Sequence, residues 1–311
     1  MKKGLLSGFF CGINTVIIGI ALSLTPLTST KEFIFLAPFI STFIHDFFSS
    51  IWMFIYMAAK KQSQGFIKAL RSKSGKYIAL AALVGGPVGM TGYILSIKYL
   101  GAGYTAIISA LYPAVGAFLS YLFLKETMQK NQMIGLAFSV GGVVALGYTP
   151  GGNQASNLLL GFFFAIMCVL GWASEAGIIS YGLQEQELTD EEALQIRQFT
   201  SAVFYGLILL PLLKAWGPTI NLIPTMTTVI ILIAALFGTT SYLFYYKAIN
   251  EIGATKAMAL NITYSAWAIV FGFILLREQI TGIDILLGLI IISGSVYAAG
   301  EKQELFAFNR A

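Results

Sequence analysis

The sequence predicts an all-α, polytopic membrane protein whose ten transmembrane helices form two inverted five-helix repeats. The first observation is composition: of 311 residues, 57% are hydrophobic and only 11% are charged. Soluble domains carry about 25% charged residues, so a surface this poor in charge is expected to face lipid. The second is that apolar runs of the ~20 residues needed to cross a bilayer recur along the chain. The third is an internal repeat at about half the chain length, which is typical of a duplicated architecture.

The repeat is clearest in two apolar segments, each with a central tyrosine and a basic–acidic pair at its end. Tyr112 and Tyr264 are 152 positions apart, and the two closing pairs keep the same spacing. We therefore expect a first five-helix repeat over residues 1–149 and a second over 158–300. The substrate site is expected between them.

Ten spans follow from the apolar runs and the turn-rich segments that separate them. With five spans in each repeat, the second repeat enters the membrane from the opposite side. Thr189, three residues before Glu192, is expected to cap the start of the seventh span. The segment from Gly85 to Gly89, which contains Pro87, is expected to interrupt the third. The predicted spans are 4–24, 33–58, 77–97, 101–123, 131–148, 158–181, 192–214, 226–248, 254–275 and 281–299.

Basic residues predict the orientation. With the N-terminus in the cytoplasm, most of the 19 Lys and Arg residues, including those between Lys60 and Lys76, fall on the cytoplasmic side. The positive-inside rule then places both termini in the cytoplasm, in a multi-pass protein of the cytoplasmic membrane. The basic N-terminus before an apolar run is similar to a signal peptide, but no small-x-small cleavage site follows, so we expect a retained first span.

Several classes of function are disfavoured. The net charge of +5 reflects the basic residues of the predicted cytoplasmic segments. Nucleic-acid binding is not expected, because the sequence has no basic cluster interleaved with aromatic residues. Cys11 and Cys168 lie in apolar runs and are expected to be buried thiols without a disulfide or a metal. Phosphate-loop and hydrolase motifs are missing, so we expect neither an ATP-driven pump nor a membrane hydrolase, and no cofactor.

Ionisable residues at membrane depth are functional candidates, because burying a charge there costs ~2.5–3.5 kcal/mol or more. His45-Asp46 lies in the second predicted span and Arg197-Gln198 in the seventh, again 152 positions apart. Each pair is also compatible with a purely structural polar contact. Glu175, in the sixth span, has no cation three or four residues away, which favours a carboxylate that faces a cavity.

Polar and aromatic residues accompany these charges at mid-span positions. Tyrosine and tryptophan are usually found at the membrane interface, so mid-span rings need a polar partner or a cavity for their polar tips. Several rings beside one carboxylate form the arrangement that binds quaternary ammonium ions, although aromatic helices also simply pack together. The candidate substrate-binding residues are Trp172, Ser174, Glu175, Tyr112, Tyr242, Tyr245, Asn261, Tyr264 and Trp267.

The sequence resembles the EamA-type transporters of the drug/metabolite transporter superfamily, and most of all the choline permeases encoded in bacterial lic operons. The resemblance covers nearly the whole chain. It implies ten helices with both termini inside, choline import coupled to protons, and an aromatic pocket between the halves. The motifs that carry it are Lys125-Glu126 and Arg277-Glu278; His45-Asp46-Phe47; Gly86-Pro87-Val88-Gly89-Met90; Ser109-Ala110-Leu111-Tyr112-Pro113-Ala114; Trp172-Ala173-Ser174-Glu175; Ile196-Arg197-Gln198; Ser241-Tyr242-Leu243-Phe244-Tyr245-Tyr246; and Asn261-Ile262-Thr263-Tyr264-Ser265-Ala266-Trp267.

The first span departs from this pattern. Cys11-Gly12 stands where such carriers often have Trp-Gly, so one aromatic wall is expected to be missing. Asn14 lies where the second repeat has Glu175, so only one of the two equivalent positions is acidic.

The favoured hypothesis is a secondary importer of a choline-like cation, with protons and membrane lipid as its other partners. Coupling, or a structural polar role, is assigned to His45, Asp46, Arg197, Gln198 and Asn14. An exporter of amino acids, metabolites or drugs is the alternative within the superfamily. A non-transporting membrane scaffold is less favoured, because a scaffold has no need for polar residues at mid-span.

Overall fold

The computed structural model describes residues 1–62, 65–100, 108–109, 111–125, 129–147, 158–184, 187–277 and 281–299. Within these residues the regular elements are all helical. Three π-helical stretches, Val84–Met90, Tyr205–Leu209 and Gly272–Leu276, continue α-helices without a break. The α-helices are α1 (Lys2–Leu22), α2 (Lys31–Ala59), α3 (Phe66–Arg71), α4 (Lys73–Leu83), α5 (Thr91–Leu100), α6 (Tyr112–Leu124), α7 (Lys130–Gly147), α8 (Leu158–Gln184), α9 (Asp190–Phe204), α10 (Leu210–Leu212), α11 (Trp216–Leu222), α12 (Met226–Ile252), α13 (Ala254–Asn261), α14 (Tyr264–Phe271) and α15 (Gly282–Ala299).

Seven helical segments of the described chain are long and apolar enough to cross a membrane, which confirms a multi-pass, all-helical membrane protein. A shorter apolar helix covers Ile285–Ala299. Residues 101–107 and 110 of the predicted fourth span lie outside the described residues, as do Glu126 and Glu278 of the closing motifs. The seven segments are Lys2–Leu22, Lys31–Ala59, Lys73–Ser96, Leu159–Leu183, Asp190–Leu212, Met226–Ile252 and Ala254–Leu276.

Local sequence signals explain several helix starts. The predicted capping box is present at α9: the Thr189 hydroxyl accepts from the Glu192 backbone N–H, and the Glu192 side chain accepts from the Thr189 backbone N–H. The Thr30 hydroxyl caps α2 in the same way by accepting from the backbone N–H of Phe33. Such caps satisfy N–H groups that have no partner within the helix.

Two short helices, α3 and α11, were not predicted from the sequence. They connect long helices and occupy similar positions in the two repeats, since Phe66 plus 152 falls at residue 218, inside Trp216–Leu222. Each is six or seven residues long, too short to show an apolar periodicity.

The prediction that the segment from Gly85 to Gly89 interrupts the third span is wrong. The helix continues through this segment as the π-helix Val84–Met90, although it contains Pro87. Pro lacks the N–H of a regular helical hydrogen bond, and a π-helical turn absorbs that defect. The segment therefore remains a packed helix.

Helices from the two halves interlock. From the first half, α1 packs along α12 and against α14, whereas α4, α5 and α6 pack against α8 of the second half. α2 packs against α9, and α7 against α15. The helix that begins each half is thus enclosed by helices of the other half.

Small residues permit a close approach between α1 and the α13–α14 region. A Cβ on Gly8 would lie 2.1 Å from the Thr263 hydroxyl oxygen, and one on Gly12 would lie 2.6 Å from the Trp267 Cβ. Gly4 and Leu260 form a similar contact one turn away. Three glycines spaced four apart form the small-residue stripe that lets helix backbones pack closely in lipid.

Polar contacts join the two halves at the end that is predicted to be cytoplasmic. Lys3 forms an ion pair with Glu251. Glu191 lies 4.0 Å from the Lys60 ammonium and 2.9 Å from that of Lys247. At the opposite end, the Thr227 hydroxyl donates to the Thr25 carbonyl at 2.8 Å. Both ends of the interface between the halves are therefore tied by polar contacts.

Candidate substrate-binding site

A buried cluster of charges lies where α2, α8 and α9 meet. Arg197 from α9 lies between two carboxylates: its Nε donates to Glu175 Oε1 at 3.0 Å, and its NH1 group lies 3.4 Å from Asp46 Oδ2. Arg197 and Asp46 are each 4% exposed, and Glu175 is 7% exposed. Burial of this depth strengthens the electrostatic interactions within the cluster.

The prediction that Glu175 lacks a cationic partner is wrong. It rested on the absence of a cation three or four residues away on the same helix, but Arg197 approaches from another helix. A single-helix pattern cannot show a contact between helices.

His45 and Asp46 do contact each other, with 3.1 Å between Nδ1 and Oδ1. Asp46 also accepts from the Ser201 hydroxyl at 2.6 Å. Its carboxylate therefore has three partners, of which Arg197 and Ser201 come from α9. The Gln198 side chain accepts from the same Arg197 NH1 group at 3.0 Å and is fully buried.

The polar contacts of the two halves resemble each other. In the first half, His45 Nε2 lies 3.1 Å from Asn14 Oδ1, which joins α2 to α1. In the second half, Arg197 binds Glu175 and joins α9 to α8. His45 and Arg197 are 152 positions apart, and each contacts a polar side chain on the first helix of its half, so by these contacts Asn14 corresponds to Glu175.

Glycines admit these polar groups into the helix interfaces. A Cβ at Gly85 would lie 1.9 Å from Glu175 Oε2, and a Cβ at Gly238 would lie 2.5 Å from His45 Nε2. A side chain at either position would displace the polar group beside it.

Tyr242 from α12 completes the cluster. The Arg197 guanidinium lies 4.5 Å from the centre of the Tyr242 ring, and its NH2 group donates to the Tyr242 hydroxyl at 3.1 Å. The ring face therefore already binds a cation, the kind of contact expected for an ammonium substrate.

A second group of predicted residues lies around Trp172. The Tyr112 ring packs edge-on against the Trp172 ring, with 5.9 Å between the ring centres. The Tyr93 ring also packs against Trp172, with 5.2 Å between the ring centres. The Tyr112 hydroxyl donates to Asn261 Oδ1 at 3.2 Å. Tyr242 and Tyr245 pack against the same hydrophobic cluster as Tyr112 and Trp172. This aromatic group therefore borders the charged cluster.

Trp267 lies against a different ring, that of Phe9, which also packs edge-on against Phe271. The centres of the Trp267 and Phe9 rings are 5.1 Å apart. Its indole Nε1 is buried and has no hydrogen-bond partner in the described part of the chain. Tyr264 and Ser174 are half-buried. The structure thus brings Glu175, Arg197, His45, Asp46, Asn14, Gln198 and Tyr242 into one cluster, and groups Trp172 with Tyr112.

Several neighbours of the cluster were missed by sequence reasoning. Ser201 lies one helical turn after Arg197, so a search for polar residues at i+4 finds it. Tyr93 was not among the predicted site residues, and its contact with Trp172 has no local signal in the sequence. Gly85 was noticed as a potential helix breaker, not as the neighbour of Glu175.

The chemistry available to the cluster is electrostatic. It contains two carboxylates, one guanidinium and one imidazole, so with both carboxylates ionised and His45 neutral it carries one net negative charge. Arginine remains protonated in proteins, so any change of charge falls on the carboxylates or the imidazole. Cys11 and Cys168 are free thiols, and the described residues contain no group of His, Cys, Asp or Glu arranged to hold a metal ion.

Comparison with known proteins agrees with this architecture. The profile of the EamA-like transporter family matches twice, over residues 3–148 and 159–299. "Protein LicB" of Haemophilus influenzae is 37% identical over 228 residues, which are 72% of this chain and 76% of that protein. An "Uncharacterized transporter" of Methanothermobacter thermautotrophicus is 25% identical over 57% of this chain and 50% of that protein.

A solved crystal structure of another protein shares the fold, with a TM-score of 0.74, 14% sequence identity and coverage of 99% of this chain and 98% of that one. The family matches span nearly the whole chain and, together with the similarity to LicB, confirm the predicted resemblance to EamA-type transporters. This multi-pass membrane protein therefore belongs to the EamA-like transporter family, whose members move small molecules across membranes.

Proposed function

We propose that this chain is a secondary transporter that imports choline, or a closely related quaternary ammonium ion, together with protons. The observation that carries the proposal is a buried cluster of two carboxylates around one guanidinium, bordered by aromatic rings, which carries one net negative charge when both carboxylates are ionised and His45 is neutral. A quaternary ammonium head has no N–H donor, so it is bound by ring faces and by a nearby negative charge. The resemblance of the sequence motifs to the choline permeases of lic operons supports the same substrate class.

In this proposal Glu175 supplies the negative charge closest to the substrate. Trp172, Tyr112, Tyr242 and Tyr245 form the rings around it. Tyr264 and Trp267 form the wall on the α14 side, and Ser174 and Asn261 supply polar groups for the rest of the ligand. His45 and Asp46, with Glu175, are the candidate proton carriers.

The proposed architecture is ten transmembrane helices in two inverted repeats, with both termini in the cytoplasm. Support comes from the two family matches of nearly equal length and from the interlocked packing of the halves. The basic residues predict the orientation. Such repeats exchange conformations and thereby open a central site alternately to the two sides.

Membrane energetics allow import. A potential of 100 mV, negative inside, contributes ~2.3 kcal/mol for each positive charge that moves inward. That free energy corresponds to roughly fortyfold accumulation of a monovalent cation. A co-transported proton would at least double this driving force.

Proton coupling is tested in proteoliposomes that contain the purified protein and a pH-sensitive dye in the lumen. Addition of external choline should acidify the lumen, because a proton is transported inward through the cluster together with each substrate ion. Labelled choline uptake is measured in parallel. Choline uptake without acidification would show a uniporter driven by the potential alone, whereas the absence of uptake would contradict the proposed function.

Alternating access is tested with single cysteines on a background in which Cys11 and Cys168 are replaced by Ser. Ser7 is fully buried near the Lys3–Glu251 ion pair, and Thr227 is 1% exposed at the opposite end. With Ser7→Cys and Thr227→Cys variants, choline should raise labelling at one end and lower it at the other. Gly86 and Gly238 are the expected flexing points. Increased labelling at both ends would indicate a channel instead.

A second candidate is an exporter of amino acids or related metabolites, favoured by Arg197, whose guanidinium could pair with a substrate carboxylate. Competition between labelled choline and amino acids distinguishes the two functions.

A further inference from the structure

The Arg197 guanidinium already makes the two contacts that the proposed function assigns to the substrate. Its guanidinium pairs with Glu175 at 3.0 Å and lies 4.5 Å from the centre of the Tyr242 ring. A carboxylate and a ring face are the two elements by which an aromatic site holds a cation. In this structure, the protein's own cation fills both.

The cluster also provides a second position for this guanidinium. Asp46 Oδ2 lies 3.4 Å from the Arg197 NH1 group and is oriented by the Ser201 hydroxyl and by His45. Gln198 accepts from the same NH1 group. A rotation of the Arg197 side chain towards Asp46 would release Glu175 and the Tyr242 ring while the guanidinium keeps an anionic partner.

We propose that Arg197 is an internal competitor of the cationic substrate, which binds by displacing the guanidinium from Glu175 and Tyr242 onto Asp46. This inference rests on the proposed function and makes Arg197 a specificity-determining residue. A substrate must replace both the charge and the ring contact of the guanidinium. Neutral and anionic molecules supply neither, so they leave Arg197 in place.

The displacement also couples binding to the interface between the halves. Glu175 and Arg197 belong to the second half, whereas Asp46 belongs to the first. Movement of Arg197 from Glu175 towards Asp46 breaks a contact within one half and strengthens the contact that already joins the two halves. Substrate binding thereby changes how firmly α2 and α9 are joined at the cluster.

The test uses equilibrium binding of tetramethylammonium, which lacks a hydroxyl group, to purified protein. Arg197→Met removes the competitor and should tighten binding by about threefold to tenfold, the effect of losing one competing charged contact. Asp46→Asn removes the alternative anionic partner and should weaken binding. Lys247→Met, which removes a basic residue at the cytoplasmic end, is the matched control and should leave binding unchanged.

Tyr242→Phe separates competition from simple charge repulsion. It keeps the ring and changes no charge, but removes the hydroxyl that accepts from Arg197. Competition predicts tighter tetramethylammonium binding in Tyr242→Phe, whereas repulsion alone predicts no change. In the double variant with Arg197→Met, Tyr242→Phe should have no further effect, since contacts that act through one residue are not additive.

The outcomes distinguish this inference from the proposed function. If wild type binds neither choline nor tetramethylammonium, the proposed function fails and the inference fails with it. If wild type binds them but folded Tyr242→Phe shows equal or weaker affinity, the competitor role alone is wrong. Should Arg197→Met fail to fold, the result with Tyr242→Phe still decides the question.

Discussion

A Glu175→Gln variant should bind choline at least about tenfold more weakly than the wild type, because a charge-assisted contact in a poorly solvated site is strong. Glutamine keeps the shape of the side chain but removes its charge. With Arg197 and Asp46 still present and His45 neutral, the cluster then has no net charge to attract a cation. Isothermal titration of choline into detergent-purified protein at neutral pH measures the effect.

The matched control is Glu32→Gln, which removes an exposed carboxylate in the first turn of α2. Its affinity for choline should equal that of the wild type. A folded Glu175→Gln protein with unchanged affinity would remove Glu175 from the site and leave the Arg197–Glu175 pair as a structural contact.

Replacing the tryptophans by leucine is the second change with a large expected effect. A cation–π contact is worth ~0.5–2 kcal/mol, so Trp172→Leu or Trp267→Leu should lower choline affinity from about twofold to about thirtyfold. Leucine keeps much of the apolar surface, so the loss reports on the ring. Trp172 lies three residues before Glu175 on α8 and contacts Tyr112 and Tyr93, and we expect its replacement to have the larger effect.

Trp216→Leu is the control for these substitutions. Trp216 lies on the short helix α11, donates to the Gly206 carbonyl and packs against Phe43, outside the cluster. Its replacement should leave choline affinity unchanged. If choline still binds normally after Trp172, Tyr264 and Trp267 have all been changed to leucine, these aromatic residues serve packing and the proposed site is wrong.

The helical membrane architecture could be predicted because it depends on composition and on runs of apolar residues. The start of α9 was also predictable, since a capping box is a local pattern of four residues. The short helices α3 and α11 could not be predicted, because neither is long enough for a periodic pattern. The π-helix around Pro87 was read as an interruption, since sequence signals of a helix break do not distinguish a break from a π-helical turn.

The sequence predicted which residues form the charged cluster better than it predicted which of them contact each other. His45, Asp46, Glu175 and Arg197 were recognised because charged residues are costly at membrane depth. Which of them pair depends on how α2, α8 and α9 cross, and no spacing along one helix reports that. The same limit explains why Ser201 was overlooked and why Glu175 was taken to be unpaired.

The most direct test of the account is saturable binding of labelled choline to the purified wild-type protein, with tetramethylammonium, betaine and amino acids as competitors. We expect choline to bind saturably and tetramethylammonium to displace it, because both present a quaternary ammonium head to the rings and the net negative cluster. Betaine should compete less well than tetramethylammonium, since its carboxylate is repelled by the cluster, and amino acids should not compete. Absence of saturable choline binding, or displacement by amino acids at lower concentrations than tetramethylammonium, would contradict a site built for quaternary ammonium ions.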